Sequence, residues 1–307
     1  MTTANKKFDV YEMITNQILD ILDKGTVPWH QPWSKNTLGI PRNLVSKKEY
    51  RGINIILLSL QQQEHNYKTP YWLTFKQTKQ LGGQVRKGEK STIIVFWSIV
   101  KKEVITESNI KKEKKIFLLR YFRVFNLDQI KDINEKKLPA DAINDPTTDT
   151  EEFDSIEACE KIIKNMPKRP RIEHGSNDRA YYNRQADYVH LPKFESFENA
   201  EFYYSTAFHE LAHSTGHKSR LDRQFKNYNS FNCENYSKEE LIAEMTAAML
   251  CGVCGIKMKV IANQAAYIDL WRKRISNDKK LIISAASSAQ KAADFIRDIK
   301  YNNNNEK

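Results

Sequence analysis

Residues 206–217 read TAFHELAHSTGH, and the chemistry of the second half of the chain turns on them. Ala207, Phe208, Leu211 and Ala212 recur at the spacing of a buried helix face, and Gly216 supplies a stop. On such a helix His209 and His213, four residues apart, project from one face on successive turns, close enough for both imidazoles to reach a single cation. Glu210 then sits beside that cation, placed to accept a proton from an activated water and to pass it to a leaving amine. Two histidines and a glutamate at this spacing arise by chance in about one chain in a hundred of this length, so the surroundings have to supply the rest of the argument.

A catalytic zinc needs a third protein ligand and an open position. The third histidine that one class of zinc peptidases places at position 219 is absent, because that residue is Ser219, and His217 reads as a surface group or a support to a ligand, not as a ligand itself. The next helix, SKEELIAEMTAAML at 237–250, offers Glu240 and Glu244, which share a face. Glu240 is taken as the ligand and Glu244 as the carboxylate orienting a histidine, with the reverse assignment open. Two imidazoles and a carboxylate suit Zn2+, while Mn2+ and Co2+ remain compatible. In this reading the strand from Asp187 to Leu191 offers an edge for an extended peptide, and Tyr236 is a candidate to polarise the substrate carbonyl.

Outward from the motif the sequence predicts helices at 200–215, 237–253, 260–276 and 279–299, with two short strands in AYYNRQADYVHLP (180–192) and a helix near 156–165. Upstream, LPADAINDPTTDTEEFDS at 138–155 has linker composition. The first part reads as helices at 9–24 and in EYRGINIILLSLQQQ, then a short Thr74-capped helix ending at Gly82 and Gly83. Two β-rich runs follow, STIIVFWSIV and KIFLLRYFRVFNL, joined by a charged stretch from Lys101 to Lys115 that reads as a solvated connection. The fold class is α+β in two domains, 1–137 and 156–307, with 138–155 between them.

The net charge is +11, and it is uneven: residues 1–140 hold 25 Lys and Arg against 13 Asp and Glu, while the remainder holds 24 against 25. A basic domain joined to a near-neutral one implies that one part finds a polyanion and the other does something else. The longest apolar run, Thr92 to Val100, falls far short of the roughly 20 residues of a bilayer span, and the N-terminal residues lack the pattern of a secretory signal. The chain therefore reads as cytoplasmic, without membrane contact. Cys159, Cys233, Cys251 and Cys254 are too few and scattered to staple it, and the CxxC at 251–254 lies in the apolar pattern MLCGVCGI, which reads as core.

At this point the chain resembles the ArdC-type antirestriction proteins of plasmids and phages. The blocks that carry the resemblance are VPWHQPW, YRGINIILL, YWLTFKQTKQLGGQVRKGEKST and RYFRVFNLDQ in the first half, and AYYNRQADYVHLPKFESF, FHELAHSTGHKSRLDR and YSKEELIAEMTAAMLCG in the second, in the same order. The resemblance implies an N-terminal domain that binds single-stranded DNA, a C-terminal zincin-like metallopeptidase domain with His209 and His213 as ligands and Glu210 as base, and a role in shielding a mobile genetic element from restriction. At +11 the chain cannot act as an acidic mimic of DNA.

Single-strand binding calls for cations along the phosphate path and aromatic faces on which bases stack. Tyr50, Arg51, Trp72, Lys76, Lys79, Arg86, Lys87 and Lys90 are the candidates, with packing as the alternative for Tyr50 and Trp72. Trp29, Trp33 and Trp97 read as core or loop anchors. Two rival functions stand beside the peptidase reading: a DNA-binding module whose metal is only structural, and a peptidase whose basic domain recruits an acidic protein or RNA. The peptide substrate and the oligomeric state are not encoded in any motif.

Overall fold

The computed structural model describes residues 9–29, 39–105, 111–134, 138–139, 154–175, 179–223, 234–256, 258 and 264–300. Trp33, Cys233, most of the 138–155 segment and the asparagine-rich tail lie outside them, as does the Tyr236 side chain. Among the described residues no helix is long and apolar enough to cross a membrane. The chain divides into two compact units, Met1–Asn16 with Pro41–Asp145, and Gln17–Ile40 with Pro146–Lys307.

In the first unit the order is α1 (Val10–Asp23), β1 (Arg42–Asn43), α2 (Ile53–Glu64), β2 (Tyr71–Thr74), α3 (Phe75–Gln80), β3 (Gln84–Val85), β4 (Thr92–Ile105), β5 (Lys111–Asn126) and β6 (Ile130–Lys131), the last turns of α1 belonging to the second unit. The main sheet runs β1-β2-β5-β4, with β1 parallel to β2 and the other pairs antiparallel. β2 is buried on both faces. Trp72 joins Tyr50, Leu58, Ile94 and Val124 on one side, and Tyr71 and Leu73 join Leu44, Leu127 and Ile130 on the other. That double burial explains the unbroken apolar run YWL. Thr74 caps α3 through a reciprocal bond with Gln77, and Gly82 adopts a left-handed φ of 83° beyond it, as the sequence predicts.

The β-rich runs pair in one long ladder, from Thr92↔Val124 to Ile105↔Lys111. Strand pairing thus extends into the charged stretch that reads as a connection in the sequence, leaving only 106–110, which lie outside the described residues.

The second unit comprises α4 (Ser155–Asn165), β7 (Arg171–Gly175), β8 (Tyr181–Asn183), β9 (Tyr188–Pro192), α5 (Ala200–Ser214), α6 (Glu234–Cys254), α7 (Gln264–Asn277) and α8 (Leu281–Ile296). Asp154 and Asn199 cap α4 and α5 by accepting from backbone N–H groups of the first turn. Helix α6 is buried almost all round, packing on α5, α8 and α4. Cys159, Cys251 and Cys254 are buried free thiols in this core, and burial pushes the Cys251 thiol up.

The small sheet has the order β7-β9-β8, β7 parallel and β8 antiparallel to β9. This corrects the expectation for Asp187–Leu191: β9 is the central strand, with Val189 and Leu191 fully buried, and the outer strands are β7 and β8. β7 escapes sequence reading because RIEHG has no apolar alternation. Trp29 belongs to this unit: its ring meets Trp271 edge-on with centroids 5.9 Å apart, and its Nε1–H donates to Glu244 at 2.9 Å.

Candidate metal centre and basic domain surface

Helix α5 places His209, Glu210 and His213 as its periodicity demands. The Nε2 atoms of His209 and His213 lie 3.0 Å apart. Glu240, on α6, brings one carboxylate oxygen to 3.6 Å from His209 Nε2 and the other to 3.5 Å from His213 Nε2. Tetrahedral coordination at ordinary zinc distances has ligand–ligand edges of about 3.3 Å, so these separations bracket what one ion requires. Among the described residues, His209, His213 and Glu240 form the cluster able to hold a metal, with ligand atoms all within 4.8 Å of one another.

The electrostatics fit a cation. Burial opposes charge on His213, yet Glu240, Glu239 and Glu210 prevail and push its pKa up to about 9. Its Nδ1 is buried and has no hydrogen-bond partner within reach; the nearest acceptor is Glu239 Oε1, at 3.6 Å. Two Arg223 nitrogens donate to the Glu239 carboxylate, at 2.6 and 3.1 Å. Arg223 also donates to Thr215 Oγ1 and to the Ala212 carbonyl, which fixes it to the end of α5. Burial tends to raise Glu239, but His213 and Arg223 outweigh it and hold the carboxyl below its usual value.

Glu210 is 8% exposed and is placed beside the cluster by its position between the histidines. Glu244 shares the helix face of Glu240, but its carboxylate accepts from Trp29 Nε1 and the Tyr267 hydroxyl. The carboxylate facing the second ring nitrogen of His213 is Glu239, one residue before Glu240, and no spacing rule singled it out. His217, mostly buried, bonds Ser219 Oγ at 2.8 Å and faces Asp187.

In the basic unit, Lys76, Lys79, Arg86, Lys87 and Lys90 are exposed and Arg51 is half-buried. Trp72 is 0% exposed and Tyr50 6%, so both rings take the packing alternative and present no face to a base. Trp97, read as an anchor, is instead 47% exposed. Among the described residues of this unit the exposed Phe, Trp and Tyr rings are Phe75, Phe96, Trp97, Tyr121 and Phe122. Periodicity could not find the ribbon rings, because an isolated two-stranded ribbon has no buried face to impose one.

Residues 8–125 match the N-terminal domain of anti-restriction factor ArdC, and residues 157–288 match a zincin-like metallopeptidase domain. The chain is 32% identical over 312 residues to DNA primase TraC of Escherichia coli, which covers 95% of this chain but only 27% of that one, so it spans about a quarter of that relative's length. It is 30% identical to the uncharacterized protein y4eC of Sinorhizobium fredii (strain NBRC 101917 / NGR234), over 96% of this chain and 93% of that protein. Two crystal structures of the antirestriction ArdC protein from R388 plasmid, one metal-free and one Mn(II)-bound, are 37% and 36% identical, each with a TM-score of 0.72 and coverage of 95% of this chain and 98% of theirs. With both domains matched in order and a relative of known fold covered almost end to end, this chain belongs to the ArdC antirestriction proteins.

Proposed function

We propose that this protein binds single-stranded DNA through its basic unit and hydrolyses peptide bonds at a divalent-metal centre held by His209, His213 and Glu240, in the service of antirestriction. The observation that carries the catalytic half is the convergence of those three ligand groups beside Glu210. The donor set favours Zn2+. Mn2+ is supported by the Mn(II)-bound structure of the R388 relative. A divalent cation supplies Lewis acidity, bringing the pKa of water towards neutrality.

The protein's own residues supply the proton traffic. Glu210 accepts the proton that the attacking water gives up and returns it to the departing amine nitrogen. Glu239 and Arg223 hold the His213 ring in orientation, taking the supporting role that the sequence reading gave to Glu244. DNA binding is supported by the match of residues 8–125 to the ArdC N-terminal domain and by the cation excess of the first 140 residues.

The test is Glu210→Gln in the full chain, assayed for metal content, peptide hydrolysis and protection of DNA from restriction. Metal retained with hydrolysis reduced by about 100-fold or more is the expected result. Hydrolysis at the level of the unmodified protein ends the assignment of Glu210. Protection unchanged in a hydrolysis-dead variant assigns antirestriction to DNA binding, and an unmodified protein that holds metal without hydrolysing peptides leaves the metal a structural role. Metal analysis with and without His213→Ala identifies the ion and checks the ligand set.

A further inference from the structure

β5 loses its β2 partner after Thr74↔Val124, and the Asn54 side chain, bonded to both backbone groups of Val95 at 2.7 and 2.8 Å, closes the outer edge of β4 at that residue. From Phe96 and Arg123 outward the two strands pair only with each other. Of ten large apolar side chains exposed among the described residues, five lie on this ribbon: Phe96, Trp97, Leu118, Tyr121 and Phe122.

The register sorts them. Paired residues of an antiparallel ladder share a face, so Phe96, Phe122 and Arg120 lie on one side, and Trp97, Tyr121 and Arg123 on the other. Phe96 and Phe122 meet edge-on with centroids 5.7 Å apart. Each side therefore carries two exposed rings and one exposed arginine. Farther out, Lys101 is opposite Lys115 and Lys102 opposite Lys114, and the rungs from 101 to 105 hold six lysines against Glu103 and Glu113. Like charges directly opposed weaken a ladder, and a patch of bare rings is costly in water. An occupant that is both polyanionic and planar relieves both costs.

We infer that the β4–β5 ribbon is a base-stacking surface for single-stranded nucleic acid, with Phe96, Trp97, Tyr121 and Phe122 as the platforms and the exposed Arg120 and Arg123 beside them for the phosphates. The inference rests on the single-strand-binding reading and names the site for it. A single strand is required because the bases of a duplex present their edges, not their faces.

The test uses the full chain in three forms: unmodified, Phe96→Ala with Phe122→Ala, and Trp97→Ala with Tyr121→Ala. Affinity for a fluorescent oligo(dT) is measured by anisotropy across a salt series, with a duplex of equal length as control and the elution volume recorded for each form. Each ring pair removed weakens single-strand binding by about 10-fold or more while leaving the salt slope unchanged, since no cation is lost. Changing Lys101, Lys102, Lys114 and Lys115 to Gln lowers the slope instead. The four rings are exposed, so unfolding midpoints of the ring variants close to that of the unmodified protein are expected and certify the comparison. Unmodified protein that fails to bind single strands ends the underlying reading. Unmodified protein that binds, with ring variants that bind equally well, ends the ribbon assignment alone. Ring variants that lose only duplex binding, or that only change from dimer to monomer, assign the patch to another occupant and overturn it as well.

Discussion

His213 Nδ1 faces Glu239 Oε1 at 3.6 Å, and Arg223 donates to both oxygens of that carboxylate. The relationship links three segments: helix α5, which carries the histidines, helix α6, which carries Glu239 and Glu240, and the turn that follows α5. An acceptor behind a ligand histidine fixes its ring and raises its basicity.

Glu239→Gln is therefore expected to weaken metal binding by about 10- to 100-fold, read by competition with a chelator. Glu239→Asp, which keeps the charge at a shorter reach, restores part of the loss. A binding constant unchanged in the Gln variant would mean that His213 is oriented by packing alone.

Asp187 and Arg220 tie the end of α5 to the turn between β8 and β9. The Arg220 side chain, 1% exposed, donates to Asp187, Tyr182 and the carbonyls of Ser214 and Lys168. Burial tends to raise Asp187, but Arg220 and Tyr182 outweigh it and hold the carboxyl below the usual carboxylate range. A depressed folded pKa contributes stability that is present above the unfolded value and lost as pH falls through the folded one. Asp187→Asn keeps a residue tolerant of the left-handed φ of 51° there. It should cost about 1–3 kcal/mol at neutral pH and flatten the acid limb of stability below about pH 4, both measurable by urea unfolding across pH.

Trp72 is a core residue of the basic unit, not a stacking platform. Trp72→Ala should cost about 3–5 kcal/mol of stability, seen as a lower thermal midpoint, and should leave the salt slope of DNA binding unchanged below that midpoint. A selective loss of affinity with unchanged stability would return Trp72 to the interface.

Trp29 anchors Gln17–Ile40 to the metallopeptidase unit through Trp271 and Glu244. A fragment of residues 156–307 alone should thus be less stable than one to which residues 17–40 are added, and Trp29→Ala in the full chain should cost about 3–5 kcal/mol. Equal unfolding midpoints for the two fragments would show that the segment adds nothing.

Local spacing alone determined a good deal. A 3.6-residue period puts His209 and His213 on one face and Glu210 between them, turn and cap residues mark the ends of α1, α3 and α5, and β-rich runs pair as β4 and β5. Long-range packing decided the rest. Glu239, Glu240 and Glu244 are chemically equivalent in the sequence. Only the docking of α6 on α5 turns Glu240 to both histidines and Glu239 to one, while Trp29 and Tyr267, distant in sequence, engage Glu244. Tyr50 and Trp72 are buried, and Phe96 and Trp97 bare, because burial depends on which strand finds a second layer, and β4 and β5 outrun theirs. A side chain's chemistry is written in the chain, whereas its surroundings are set by contacts that no local period encodes.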